Sequence, residues 1–75
     1  MARVTAQEFQ ANLDAAAWNR KHPVGTSVRY WRGVREGTGA DGRTRSEASV
    51  LGGTAVVWIT GCSGCIALTH VDPAL

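Results

Sequence analysis

The sequence predicts a small α+β domain, mainly β, in which an N-terminal helix precedes an antiparallel β-unit of four to five strands. Three observations predict it. Thr5 to Glu8 carries a helix-start signature, helical spacing gives way to alternation after Pro23, and glycine turns punctuate everything beyond. Seventy-five residues make one domain, 1–75, near the lower size limit for a chain that folds unaided. A core of this size supplies roughly 3–5 kcal/mol. A homo-oligomer interface, a metal or a crosslink would therefore add useful stability.

The helix is expected over about 5–21. Thr5-Ala6-Gln7-Glu8 is a capping box, and Val4 and Phe9 stand at the two positions of a hydrophobic staple. Phe9, Leu13, Ala16 and Ala17 fall at i, i+4, i+7 and i+8, which predicts the buried stripe. Trp18 lies about half a turn from that stripe. As a large aromatic it is expected to anchor packing, with the helix either buried on two sides there or bent. Pro23 disfavours helical geometry at His22 and so ends the helix at Lys21 or His22.

The β-unit is expected over about 24–73. Thr26 to Arg32 alternates, with Val28 and Tyr30 on one face and Arg29 and Trp31 on the other. Gly33 to Gly42, with four glycines, reads as a long mobile loop. Arg43 to Leu51 reads as a second strand, polar at Arg43, Arg45, Glu47 and Ser49 and inward at Ala48 and Val50. Gly52-Gly53 signals a tight hairpin. Thr54 to Thr60 is apolar on both faces, Val57 and Ile59 against Val56 and Trp58, and is expected to be central. After the Gly61–Gly64 turn come a short strand, Cys65 to Leu68, and a closing turn at Val71-Asp72-Pro73, with a last short pairing as a further option. An SH3-like barrel is the economical arrangement, because curling the sheet protects its edges and leaves one end for the helix. An open sheet crossed by the helix is the alternative.

Charge is unevenly distributed. Arg20 to Arg45 holds seven basic residues against two acids, and the remainder is net acidic. Such a segment can attract phosphate or an acidic protein surface, or can simply solvate exposed edges. No apolar run approaches bilayer length, and Met1-Ala2-Arg3-Val4 leads straight into polar sequence without a secretory-type stretch. A cytoplasmic location with reduced cysteines is the resulting expectation, with no membrane partner.

The segment Trp18-Asn19-Arg20-Lys21-His22-Pro23-Val24-Gly25-Thr26, the basic strand to Trp31, and the ending Ile66-Ala67-Leu68-Thr69-His70-Val71-Asp72-Pro73 together carry a resemblance. They resemble small stand-alone SH3-like proteins of actinobacterial phages and mobile elements. That resemblance implies an accessory protein acting by contact, for example on a host factor, and brings no catalytic residues. The opening strand is also distantly similar to that of plasmid-encoded type II dihydrofolate reductases. Their pore-lining Val-Gln-Ile-Tyr corresponds here to Ile66-Ala67-Leu68-Thr69, which lacks the Gln amide and the Tyr hydroxyl, so no reductase activity is implied.

Three constellations remain. Arg29, Trp31, Arg32, Arg43 and Arg45 are the candidate binding residues, and Arg29, Trp31, Arg43 and Arg45 share one outer face if the first two strands pair. Tryptophan among guanidinium groups suits a protein hot spot, and equally suits base stacking with phosphate contacts. A protein partner is favoured and nucleic acid is the alternative, weakened by the net charge of only +2. Cys62-Ser63-Gly64-Cys65 could act in redox chemistry or, with His70 and His22, hold a metal. It sits on a turn between strands with no helix dipole to activate it, so plain turn cysteines and no cofactor are expected. His70 and Asp72 could share a strand face, yet no nucleophile stands beside them and the chain is not expected to be an enzyme.

Overall fold

A computed structural model describes residues 5–74, and the staple partner Val4 lies outside them. Helix α1 spans Ala6–Lys21. Its capping box is formed: the Thr5 hydroxyl accepts from the Glu8 N–H at 3.1 Å, and Glu8 Oε1 accepts from the Thr5 N–H at 3.3 Å. Glu8 in the first turn and Arg20 and Lys21 in the last complement the helix dipole. His22 caps the C-terminal end, as Pro23 requires.

The expected buried stripe does not face the core. Phe9 is 60% and Leu13 49% exposed, while Ala11 and Ala15 are buried and Trp18 packs on the core beside them. Spaced at i, i+4 and i+7, these three define the inward line. Two alanines let the helix backbone lie close against the strands beneath it, which a Phe–Leu stripe would hold away. Trp18 is thus the anchor of the helix's single buried side, and no bend is needed to reach it.

Six short strands follow: β1 (Ser27–Tyr30), β2 (Ala40–Arg43), β3 (Ser49–Leu51), β4 (Thr54–Trp58), β5 (Cys65–Ala67) and β6 (Val71–Pro73), with a 3-10 turn at Leu68–His70. They form two three-stranded antiparallel sheets, ordered β2-β1-β6 and β3-β4-β5. The molecule is therefore α+β and mainly β. β4 is central to its sheet, as expected from its apolar run. The segment expected as one strand from Arg43 to Leu51 is divided instead. β2 begins earlier, inside the expected loop, and Thr44 bridges to Ile59 before β3 resumes at Ser49.

Between that bridge and the Ser49–Val56 pair the β2–β3 side carries two extra residues, so the ladder is interrupted. The helix repairs the gap. Asn19 Oδ1 accepts from the Ala48 N–H at 2.8 Å, and Asn19 Nδ2 donates to the Ala48 carbonyl at 3.0 Å. A side-chain amide here replaces a missing strand neighbour.

The core between the sheets and helix is built on Val28, Val57 and Ile59, none more than 1% exposed, with Tyr30, Ala55, Ile66 and Val71 around them. Gly42 permits this packing, since a Cβ there would lie 2.6 Å from Ile59 Cγ2 and 3.2 Å from Tyr30 Cε1. The buried polar residue Thr44 is satisfied, its Oγ1 accepting from the Gly25 and Thr26 N–H groups. No helix of the described residues is long and apolar enough to cross a membrane.

Candidate functional site

The candidate binding residues do not share one face. Arg29 lies opposite Asp41, with Nε 3.4 Å from Oδ1, and Arg43 lies opposite Ser27. Arg29 and Arg43 thus stand diagonally on the outer side of the first sheet. Arg45 has left that sheet. Its N–H donates to the Trp58 carbonyl, and its guanidinium donates to the carbonyls of Ile59 (3.3 Å) and Cys62 (3.1 Å). Arg32 reaches the same turn and donates to the Gly61 carbonyl at 3.2 Å. The division follows from β2 starting at Ala40 and the chain crossing between sheets at Thr44.

Trp31 is half-buried and already engaged. Its indole N–H donates to the Gly37 carbonyl at 3.3 Å, and the Arg35 guanidinium lies over the ring, 4.4 Å from its centroid. Arg35 also donates to the Thr69 carbonyl at 2.7 Å and pairs with the Asp72 carboxylate. Gly39 completes the arrangement, because any Cβ there would lie 2.8 Å from Trp31 Cε2. The segment expected as a mobile loop is instead folded back on Trp31 and pinned to the 3-10 turn and β6. Asp72 serves Arg35, so it is committed to an ion pair and not to His70.

A different aromatic, Trp58, belongs to an apolar surface on the other sheet. Ala55 and Val57 of β4 face the core, so Thr54, Val56 and Trp58 face the opposite way. Leu51 pairs with Thr54, Ala67 with Val56 and Cys65 with Trp58, which places all of them on that outer side. Leu51 is 57% exposed, Trp58 is half-buried, and Val56 is buried without joining the main core cluster. The result is an apolar outer sheet face, Leu51–Val56–Trp58–Ala67, with Arg45 at its Trp58 end. Its sequence signal was the double-sided apolar character of Thr54 to Thr60. That pattern predicts a central strand, which β4 is, and does not by itself tell an outer docking face from a second buried one.

The Gly61–Gly64 turn forms the third feature. Arg32, Cys62, Ser63, Gly64, Cys65 and Ile66 line an open cleft of about 230 Å³. Cys62 is buried, Cys65 is half-buried, and both are free thiols. Tyr30 comes to the same place from β1. The neighbouring Cys62 thiol, then burial, raise its phenol above the ordinary value near 10.0, against the lowering effect of Arg32. The same Cys62 and Tyr30 groups raise the Arg32 guanidinium. His22 stacks against Trp18, with ring centroids 4.4 Å apart, at the end of the helix. Among the described residues no three His, Cys, Asp or Glu side chains converge as a metal set. The four-ligand combination Cys62, Cys65, His70 and His22 is therefore not assembled: His22 is held at the helix end, and the late turn carries the cysteines elsewhere.

Chemically, the outer face offers aliphatic and indole surface with a cationic edge, and the turn offers two thiols under a guanidinium. No protein-family model, curated protein or solved structure matches this chain.

Proposed function

We propose that this protein is a non-enzymatic binding module that docks on another protein through the Leu51–Val56–Trp58–Ala67 face. The observation that carries this reading is an apolar sheet surface directed away from the core, bordered by Arg45. Trp and Arg are the residues most enriched among interface hot spots, and a flat aliphatic surround excludes water from them. The matching partner surface is apolar with an acidic rim. The architecture is read as SH3-like. Supporting it are the strand orders β2-β1-β6 and β3-β4-β5, the crossing between sheets at Thr44, and the 3-10 turn before the last strand. An accessory role of the phage or mobile-element kind, against a host protein in the cytoplasm, rests on the resemblance of Trp18–Trp31 and Ile66–Pro73.

Nucleic-acid binding is the weaker reading. Arg29, Arg32, Arg43 and Arg45 each spend donors on acceptors of their own chain, and Trp31 is covered by Arg35. Affinity capture from a host lysate, with and without nuclease, separates the two. The protein reading expects nuclease-resistant capture of a defined protein that Leu51→Glu abolishes while the melting temperature holds. It fails if capture disappears with nuclease, or if Leu51→Glu leaves capture unchanged.

A further inference from the structure

We propose that Cys62 and Cys65 form a dithiol site that exchanges with small, carboxylate-bearing disulfides and closes a Cys62–Cys65 disulfide across the turn. The two cysteines are separated by Ser63-Gly64, where the chain bends, and line the same open cleft at the end of the sheet, Cys62 from the core side and Cys65 from the outer side. This brings together what exchange requires: an accessible attacking thiol, a sheltered resolving thiol, and room for a reagent. Cys65 is the accessible member, and Cys62, 6% exposed, is the sheltered one.

The cleft also has a built-in preference. Arg32 lines it and donates to the Gly61 carbonyl, and Arg45 donates to the Cys62 carbonyl. No carboxylate is among the lining residues. Both guanidinium groups thus hold the turn by its backbone, and Arg32, which lines the cleft, leaves positive charge at the mouth of the site. An anionic disulfide is drawn in, and a cationic one is not.

The reaction balances without a further oxidant. The Cys65 thiolate attacks one sulfur of the small disulfide, breaking its S–S bond and releasing one small thiol. The Cys62 thiolate then attacks the Cys65 sulfur of the mixed disulfide and releases the second. The protein dithiol is oxidised, one disulfide is reduced to two thiols, and the two cysteine protons leave with them.

Glutathione disulfide and cystamine are the anionic and cationic probes for the test. Incubating the folded protein with glutathione disulfide should give a species lighter by two hydrogens, with no free thiol and no retained adduct. Cys62→Ser should stop at a stable adduct on Cys65, and Cys65→Ser should react far more slowly. Arg32→Gln should slow the glutathione disulfide reaction several-fold and leave the cystamine reaction unchanged. Should Cys62→Ser fail to fold, the wild-type product alone decides. A persistent mixed disulfide, or thiols that stay reduced under conditions that oxidise a small dithiol, overturns the site. Equal slowing with both probes overturns its preference for anions.

Discussion

In β3-β4-β5 the strands are held by what they bury, whereas in β2-β1-β6 they are held largely by what their side chains reach. The first of these sheets contributes Ala55, Val57 and Ile66 to the core and is covered by α1 through Ala11, Ala15 and Trp18. The second contributes Val28, Tyr30 and Val71, but β2 itself is Ala-Asp-Gly-Arg, with no large apolar residue. Its surroundings are tied by Arg29 to Asp41, Arg43 to Gly25, Trp31 to Gly37, and Arg35 to Thr69 and Asp72. Non-directional burial tolerates an apolar outer face on the same sheet, and that is where a docking surface can sit. A polar-tied sheet has its donors committed, and its arginines are correspondingly less available to a ligand. The same division separates the responses expected to mutation, pH and salt.

The sharpest way to break the comparison is in the shared core. Ile59→Ala should cost about 3 kcal/mol, comparable to the whole stability of a domain this small. Urea denaturation followed by circular dichroism should find the variant largely unfolded in water. Next comes the helix-to-strand bridge. Asn19→Ala removes both partners of the half-buried Ala48 backbone and should cost roughly 1–2 kcal/mol, read as a lower urea midpoint with an unchanged slope. If Asn19→Ala were neutral, water would be filling the gap and the β3-β4-β5 sheet would not depend on the helix for its ladder.

A pH series tests the junction between the sheets, where Tyr30 meets Cys62. The folded phenol titrates above 10.0, so the unfolded chain loses this proton first as pH rises. Its stabilisation is fully present below about pH 10 and is lost as pH climbs from there through the folded value. Tyr30→Phe should therefore flatten the alkaline limb of the stability curve, measured as the urea midpoint between about pH 8 and pH 11. A limb unchanged by the substitution would assign the alkaline loss to other groups.

Local signals were legible in the sequence where they were complete within a few residues. The Thr5–Glu8 box fixed the helix start, Pro23 fixed its end, and the alternation of Val28 and Tyr30 against Arg29 and Trp31 gave the inward face of β1. Gly52-Gly53 gave the hairpin, and β4 was found and placed centrally. What the sequence concealed depended on distant partners. Phe9 and Leu13 outrank Ala11 and Ala15 in hydrophobicity, but the distance of α1 from the strands is set by steric fit, which favours the alanines. The run from Arg43 to Leu51 alternates continuously, and nothing in it announces that the chain changes sheets at Thr44. Arg35 and Asp72 lie 37 residues apart, so a glycine-rich loop looked free when its anchor was on β6. Of the proposed docking face, Arg45 is among the residues expected from the sequence, and Leu51, Val56, Trp58 and Ala67 are not. Trp31 follows β1 and Trp58 ends β4, both half-buried, and only the segment folded over Trp31, with Arg35 above its ring, sets the two indoles apart.

The smallest effect tests the polar half most directly. Arg35→Ala removes the cation over Trp31, the bond to Thr69 and the pair with Asp72, yet Arg35 and Asp72 are 39% and 50% exposed. Exposed pairs contribute about 0–1 kcal/mol and are screened by salt. The midpoint should therefore fall only slightly, and less at high ionic strength than at low. The larger consequence is local. With Arg35 gone, the segment over Trp31 should open, shifting indole emission to longer wavelength and accelerating amide exchange at Gly37 to Gly39, while amides of β4 stay protected. Opening of Trp31 without loss of β4 protection would establish that the polar-tied sheet can loosen independently of the apolar one. Simultaneous loss in both would mean that the Arg35 contacts hold the whole domain, and the two sheets would then be a single cooperative unit.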